Sequence, residues 1–302
     1  MDLGTNTFHL LIVDGNVGNF NEIVHLQEPV KLGEGGINKG VIQPAAFERG
    51  IKTMHHFKEL LLQHHVQQVR AIATSALRSA ANGEDFISEV KAQTSIAIKI
   101  IDGDAEAGYI YKGIKAAGCL TGKNSLIMDI GGGSVEFIIC NNQELLWKQS
   151  FEIGAARLMD KFHRTDPIPP ESITALNIYL GDILPDLFAT TANYPIDNMI
   201  GSSGVFETYG GLIEADKGNK FDLQKTKRYD FKQDELLAVT EKLIQSSHQE
   251  RLATKGIPPV RIDMIVTASI LTRFVMERLG VEKVVMSTSS LKEGVLAEMV
   301  GQ

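Results

Sequence analysis

Two stretches of this chain repeat one another without a gap. Asp2 to Val13, DLGTNTFHLLIV, aligns on Asp129 to Cys140, DIGGGSVEFIIC, with Asp on Asp, Gly4 on Gly131, Thr7 on Ser134 and His9 on Glu136. In the longer run Leu126 to Cys140, three glycines separate two apolar, β-branched segments of strand length, which predicts a β-hairpin. Gly131, Gly132 and Gly133 can adopt positive φ and carry no Cβ, so successive N–H groups can converge on an anion, and Ser134 adds a hydroxyl donor. A single glycine run is no more than a tight turn. A duplicated one predicts two related domains, each presenting an Asp-led phosphate loop to a common cleft: Gly4, Thr5, Asn6 and Thr7 in one, Gly131 to Ser134 in the other.

The length agrees with that duplication, because 302 residues exceed what one hydrophobic core usually serves. The small, polar stretch Gly113 to Asn124 makes a natural junction, dividing the chain into 1–118 and 119–302. With 43% hydrophobic and 22% charged residues the composition is that of a soluble globular protein. No apolar run approaches the ~20 residues of a membrane span, and the N-terminus lacks the pattern of a secretory signal, so the expectation is a cytoplasmic protein without a membrane partner. Asp2 should end a strand that one preceding residue cannot supply, so native residues are expected ahead of Met1. Cys119 and Cys140 have neither CxxC spacing nor neighbouring histidines and read as buried free thiols. A net charge of −7 argues against generic nucleic-acid binding. A polyanionic substrate would need a local basic patch, and the candidate is the run containing Lys217, Lys220, Lys225, Lys227 and Arg228, which reads equally as a solvated loop.

Further candidates follow from chemistry. Asp129 stands at the mouth of the second loop and Glu136 on its returning strand, where carboxylates can hold a divalent cation, Mg²⁺ or Mn²⁺, beside a phosphate. Arg78, in ATSALR, reads as a solvated helix arginine or as a guanidinium for phosphate oxygens. Asp102, Asp104 and Glu106 open a predicted helix, where acidic side chains ordinarily complement the helix dipole. Gly201 and Gly204, in NMIGSSG, repeat the theme of a strand running into a glycine loop.

The paired loops resemble those of the actin-like ATPase superfamily. The succession DLGTNTFHLLI, VKLGEGG, ATSALRSAANG, DGDAEAGYIYKG, MDIGGGSVEF, FEIGAARL, GSSG and LKEGVL is similar, in the same order over nearly the whole chain, to the exopolyphosphatase and guanosine pentaphosphate phosphatase (Ppx/GppA) family. The resemblance implies an α/β fold of two ribonuclease H-like (actin-like ATPase) domains with a cleft between them, the final helix, 291–302, packing back on the first. It further implies hydrolysis of a terminal phosphoanhydride bond of polyphosphate or guanosine pentaphosphate, with Glu106 as general base, Arg78 as its companion on the phosphate, and Asp129 with Glu136 or Asp2 on Mg²⁺ or Mn²⁺. Ala105, Thr267 and Lys292 depart from the family pattern, which commonly has glutamate, glycine and arginine there. A non-catalytic sensor of either polyanion and a small-molecule kinase on the same fold are the rival readings, and a homodimer is left open.

Overall fold

A computed structural model describes residues 1–16 and 19–300; the last two residues of the expected final helix, 301–302, lie outside the described residues. The first sheet is built from β1 (Asp2–Leu3), β2 (Phe8–Asn16) and β3 (Asn19–Glu28). The chain then crosses through α1 (Pro44–Gln63) to β4 (Ala71–Ala73), and through α2 (Ser75–Ser79) and α3 (Gly83–Thr94) to β5 (Ile98–Ile100). Helix α4 (Gly103–Ala116) leads to the second sheet, which opens with β6 (Ser125–Ile130), β7 (Val135–Cys140) and β8 (Leu145–Phe151). After them come α5 (Ala155–Phe162), α6 (Pro170–Ile183), α7 (Pro185–Thr191), β9 (Asn198–Ser202) and α8 (Gly204–Asp216). The chain ends with β10 (Arg228–Phe231), α9 (Gln233–Gln245), α10 (His248–Ala253), α11 (Met264–Leu279), β11 (Val284–Ser287) and α12 (Leu291–Met299).

The two sheets share a plan. Strand orders are β3-β2-β1-β4-β5 and β8-β7-β6-β9-β11-β10. In each, an antiparallel meander comes first and parallel strands are added on its inner side: β4 beside β1, β9 beside β6. This is the α/β architecture of two ribonuclease H-like units. The C-terminal ends of the parallel strands point to the cleft, where ligands bind in open α/β sheets.

Strand parity decides what reaches the cleft. Along β6 and β7, Leu126, Met128, Ile130, Val135, Phe137 and Ile139 face the large core of the second unit. Ile127, Ile138 and Cys140 face a smaller core formed with Ile110 and Ile114 of α4 and Leu291 and Val295 of α12. Buried on both faces, these strands are apolar almost throughout. Asp129 and Glu136, cross-strand partners, have the parity of Ile127 and Ile138 and so project toward α4. Asp2 pairs with Ile72, another member of the α4 core, and shares its face. One layer therefore receives carboxylates from both sheets and from the helix laid against them.

Candidate active site

The two phosphate loops are built alike down to single hydrogen bonds. Gly4 N–H donates to the Thr7 carbonyl (3.1 Å), and Gly131 N–H to that of Ser134 (3.0 Å). A chain segment following the third strand of each meander then clasps the loop from behind. In the first unit, the N–H groups of Lys31 and Gly33 donate to the carbonyls of Asn6 and Thr5. In the second, those of Gly154 and Ala156 donate to the carbonyls of Gly133 and Gly132, the aligned positions. Because the peptide is planar and trans, tying a carbonyl backward turns the next N–H forward, into the cleft.

Glycine serves here in a different way from that expected. None of Gly131, Gly132 and Gly133 has positive φ. A Cβ on Gly132 would stand 2.2 Å from the Asn6 amide nitrogen, and one on Gly133 2.5 Å from Ser75 Oγ. The glycines allow loop to press against loop. Gly154 likewise admits backbone, that of Gly132 and Gly133, at 2.4–2.5 Å from where its Cβ would be.

The loops border a cavity of about 150 Å³ that also takes in Asp2, Asp129, Glu106, His9, Arg261 and Lys292. Glu106 is buried on α4, whose N-cap Asp102 accepts from Ala105 N–H at 2.7 Å. Arg78 Nη1 donates to Glu106 Oε2 at 2.8 Å and to the Ile101 carbonyl at 3.1 Å. Burial pushes the Glu106 carboxyl up to about 8 against the opposing pull of Arg78, with Asp2 and Asp129 adding to the rise. Asp129 is held on both oxygens, by Ser203 Oγ (2.6 Å) and Ser290 Oγ (2.5 Å). Asp2 Oδ1 is buried without a hydrogen-bond partner among the described residues, and burial raises its carboxyl to about 6 despite Lys292 nearby. Glu136 does not line the cavity. It accepts from Ser150 Oγ at 2.6 Å, and burial, then Glu106 and Asp129, hold it well above the carboxylate range.

Facing these acids is a cationic wall. The Arg261 side chain is only 16% exposed, and this withdrawal from water lowers its pKa; the Glu207 carboxylate is 3.6 Å away. Lys292 pairs with Glu293 at 2.9 Å; burial disfavours its charge, but Glu293 more than offsets that and raises its pKa. Burial, then Lys292, keeps His9 neutral, and its Nδ1 is unpartnered among the described residues.

Of the residues singled out in the sequence, both loops, Glu106, Asp2, Asp129 and Gly204 line this cavity. Arg78 sits behind Glu106. Gly201 does not line it; a Cβ there would meet the Phe206 ring at 2.1 Å, so this glycine serves packing. Gly204 leaves room for the Arg261 guanidinium, which a Cβ would meet at 1.5 Å. None of the five basic-run residues lines this cavity: Lys217 is held by Glu214 and Glu235, Lys225 by Asp222 and Arg228 by Asp230. Lys227 lines a neighbouring hollow whose charged walls include Glu22, Glu207 and Glu293, and Lys220 has no ion pair among the described residues. Arg261 carried no sequence signal, Ser203 lay within GSSG with only its glycines singled out, and Ser290 opens an S-x-x-E pattern that marks a helix start but not a contact with Asp129. Arg261 reads as the start of a helix, yet α11 begins three residues later and leaves it in the loop above Gly204.

Donor chemistry bears on a cation. Among the described residues no three His, Cys, Asp or Glu side chains converge on one point, whereas Asp2 and Asp129 offer hard oxygens at the cavity wall, one of them unpartnered. That fits Mg²⁺, which keeps waters and is held by one or two carboxylates together with substrate phosphates.

The model of the Ppx/GppA phosphatase family matches residues 11–302. The chain belongs to this family. It is similar to an exopolyphosphatase from Cytophaga hutchinsonii of known crystal structure, at 39% identity and a TM-score of 0.95, covering 99% of this chain and 96% of that one. Exopolyphosphatase 2 of Mycobacterium tuberculosis is 26% identical over 100% of this chain and 98% of its own. The guanosine-5′-triphosphate,3′-diphosphate pyrophosphatase of Aeromonas hydrophila is 25% identical over 100% of this chain and 59% of its own. The family member is a phosphoanhydride hydrolase, and no helix among its described residues is long and apolar enough to cross a membrane.

Proposed function

We propose that the chain removes the terminal phosphate of an inorganic polyphosphate, with guanosine pentaphosphate as the second substrate candidate. The observation that carries this reading is the meeting of Glu106 with two phosphate loops in one cavity. Glu106 Oε2 is committed to Arg78, and Oε1 has no protein donor among the described residues and is not sealed from the cavity. The loops' forward N–H groups would hold the terminal phosphoryl oxygens, and Glu106, made more basic by burial, would take the proton of a water as its oxygen attacks phosphorus. The anhydride P–O bond then breaks and the bridging oxygen leaves on the shortened chain. Asp2 and Asp129 would hold Mg²⁺ or Mn²⁺, which supplies charge neutralisation at the phosphate oxygens. Arg261 and Lys292 would receive the next phosphate of the chain. A base placed for water favours hydrolysis over the kinase and sensor readings. Phosphate release from long polyphosphate, tripolyphosphate, guanosine pentaphosphate and ATP, with and without EDTA, tests it: release from polyphosphate lost in EDTA is expected, and no release from any of the four would overturn it.

A further inference from the structure

Beyond the cavity, a carboxylate on the rim of the second unit reaches across to the first. Glu152 follows β8, and its side chain is 47% exposed. Its Oε1 accepts from Arg78 Nη2 at 3.0 Å. Its Oε2 accepts from Ser75 Oγ and from Arg157 Nη2, both at 2.7 Å. Arg157 is itself tied down, donating to the carbonyls of Gly133 (2.8 Å) and Ile37 (2.7 Å) and to Ser79 Oγ (3.0 Å). Arg78 thus spends one edge on Glu106 and the other on Glu152. A phosphate approaching the Nη2 side of Arg78 meets Glu152 there, and the guanidinium does not line the cavity.

Arg78 and Arg157 together face the carboxyls of Glu106 and Glu152. A phosphoryl group arriving at the loops brings further negative charge beside Glu106, which cannot leave without losing the base. Glu152 can leave, because it is half exposed and water can solvate it, whereas an exposed ion pair holds it by only a modest free energy. We propose that Glu152 is a built-in competitor of the substrate: its carboxylate occupies the outer edge of Arg78 in the empty enzyme and is displaced when a phosphoryl group takes that edge. Glu152 is then a positioning residue that acts through Arg78. It parks the guanidinium against Glu106, orients it between turnovers, and sets how tightly phosphate is held. This rests on the reading above that Arg78 meets the terminal phosphoryl group.

The test measures the Kd of inorganic phosphate, the product, by calorimetry, and KM and kcat for polyphosphate, in wild type, Glu152→Gln, Glu152→Ala, Arg78→Ala and the double variant Arg78→Ala/Glu152→Gln. Both single Glu152 variants should bind phosphate about three- to ten-fold more tightly and lower KM with kcat changed less than KM, the range expected for losing one half-exposed competing charge. Gln retains an acceptor for Ser75 and Ala does not, so a purely structural role would separate the two, weakening phosphate binding only in Ala. In the Arg78→Ala background the Glu152 effect should vanish. Unchanged or weaker phosphate binding in Glu152→Gln overturns the proposal while leaving Arg78 on the phosphate. If Arg78→Ala itself leaves phosphate binding unchanged, both the proposal and the reading beneath it fall.

Discussion

Glu106 is surrounded by arrangements that raise its basicity without removing its charge partner. Burial holds it up near 8, so its base form grows as pH rises, and kcat/KM should climb through pH 7 and level above about 8. A profile flat from pH 6 to 9 would count against the assignment. Glu106→Gln, which keeps the shape, should cost about 10²- to 10⁴-fold in kcat with KM little changed, read from initial rates of a folded variant. Glu136 shares the upward shift but lies behind the cavity, and there the consequence is for stability. Its folded-state pKa exceeds the unfolded one, so the folded protein holds a proton that the unfolded chain has released. Its stabilising contribution is present below the ordinary carboxylate range, from about pH 4 downward, and is lost as pH rises through the raised value. In chelator-treated protein, Glu136→Gln should therefore melt higher than wild type at pH 8 and show a smaller fall in Tm between pH 5 and 8; an unchanged slope would reject this. At this scale the loops and Asp129 were legible because a glycine turn led by an aspartate carries chemistry in its spacing, whereas Glu106, by position an ordinary helix-opening acid, was marked only by the family resemblance. Arg261 and Ser203 were not legible. The first is one arginine among ordinary loop residues, and the second sits at φ 72°, a backbone region that only the fold can impose on a serine.

Helices α4 and α12 cross with glycine on each side, and that crossing ties packing to the site. A Cβ on Gly113 would lie 2.1 Å from the Ser290 carbonyl, and one on Gly294 1.8 Å from that of Tyr109. Both clashes are with backbone, which cannot rotate aside. Ser290 is also the N-cap of α12 and the donor to Asp129 Oδ2. Gly113→Ala is accordingly expected to cost about 1–3 kcal/mol by overpacking and to lower kcat as Ser290 moves, measured by denaturant titration and initial rates. Wild-type stability would mean that the helices slide apart at no cost. Apolar residues at helical spacing, Phe47, Ile51, Met54 and Phe57, mark α1 in the sequence, and Pro185 marks the break between α6 and α7. Neither signal reveals why Gly113 stands inside α4, because a glycine required by a partner helix nearly two hundred residues away looks locally like a junction. Helices α9 and α10 are separated where Ser247 and Glu250 form a capping box, an S-x-x-E pattern readable in the sequence.

On the scale of the whole molecule, an acidic protein must take up a polyanion, and the net charge of −7 repels it at a distance. Attraction therefore has to be local. The repeat in the sequence made the two-unit plan legible, but charge counting along the chain drew attention to the run from Lys217 to Arg228, and three of its five cations are neutralised by neighbouring acids. Lys217 also caps the far end of α8, one helix length of about 20 Å from Gly204 at the cavity, beyond a Debye length of about 8 Å. Arg261 and Lys292, largely withdrawn from water in the cavity wall, are screened far less. Lys220→Ser with Lys225→Ser should thus leave KM within about twofold for long and short polyphosphate alike, the range for solvated surface charges. Arg261→Ala should raise KM about tenfold or more for both lengths, because even a short chain has a second phosphate to lose contact. Salt should weaken binding only modestly in all three proteins. Measuring KM for two chain lengths at low and high salt separates these effects, and a selective rise in long-chain KM for the double lysine variant would assign docking to the basic run instead.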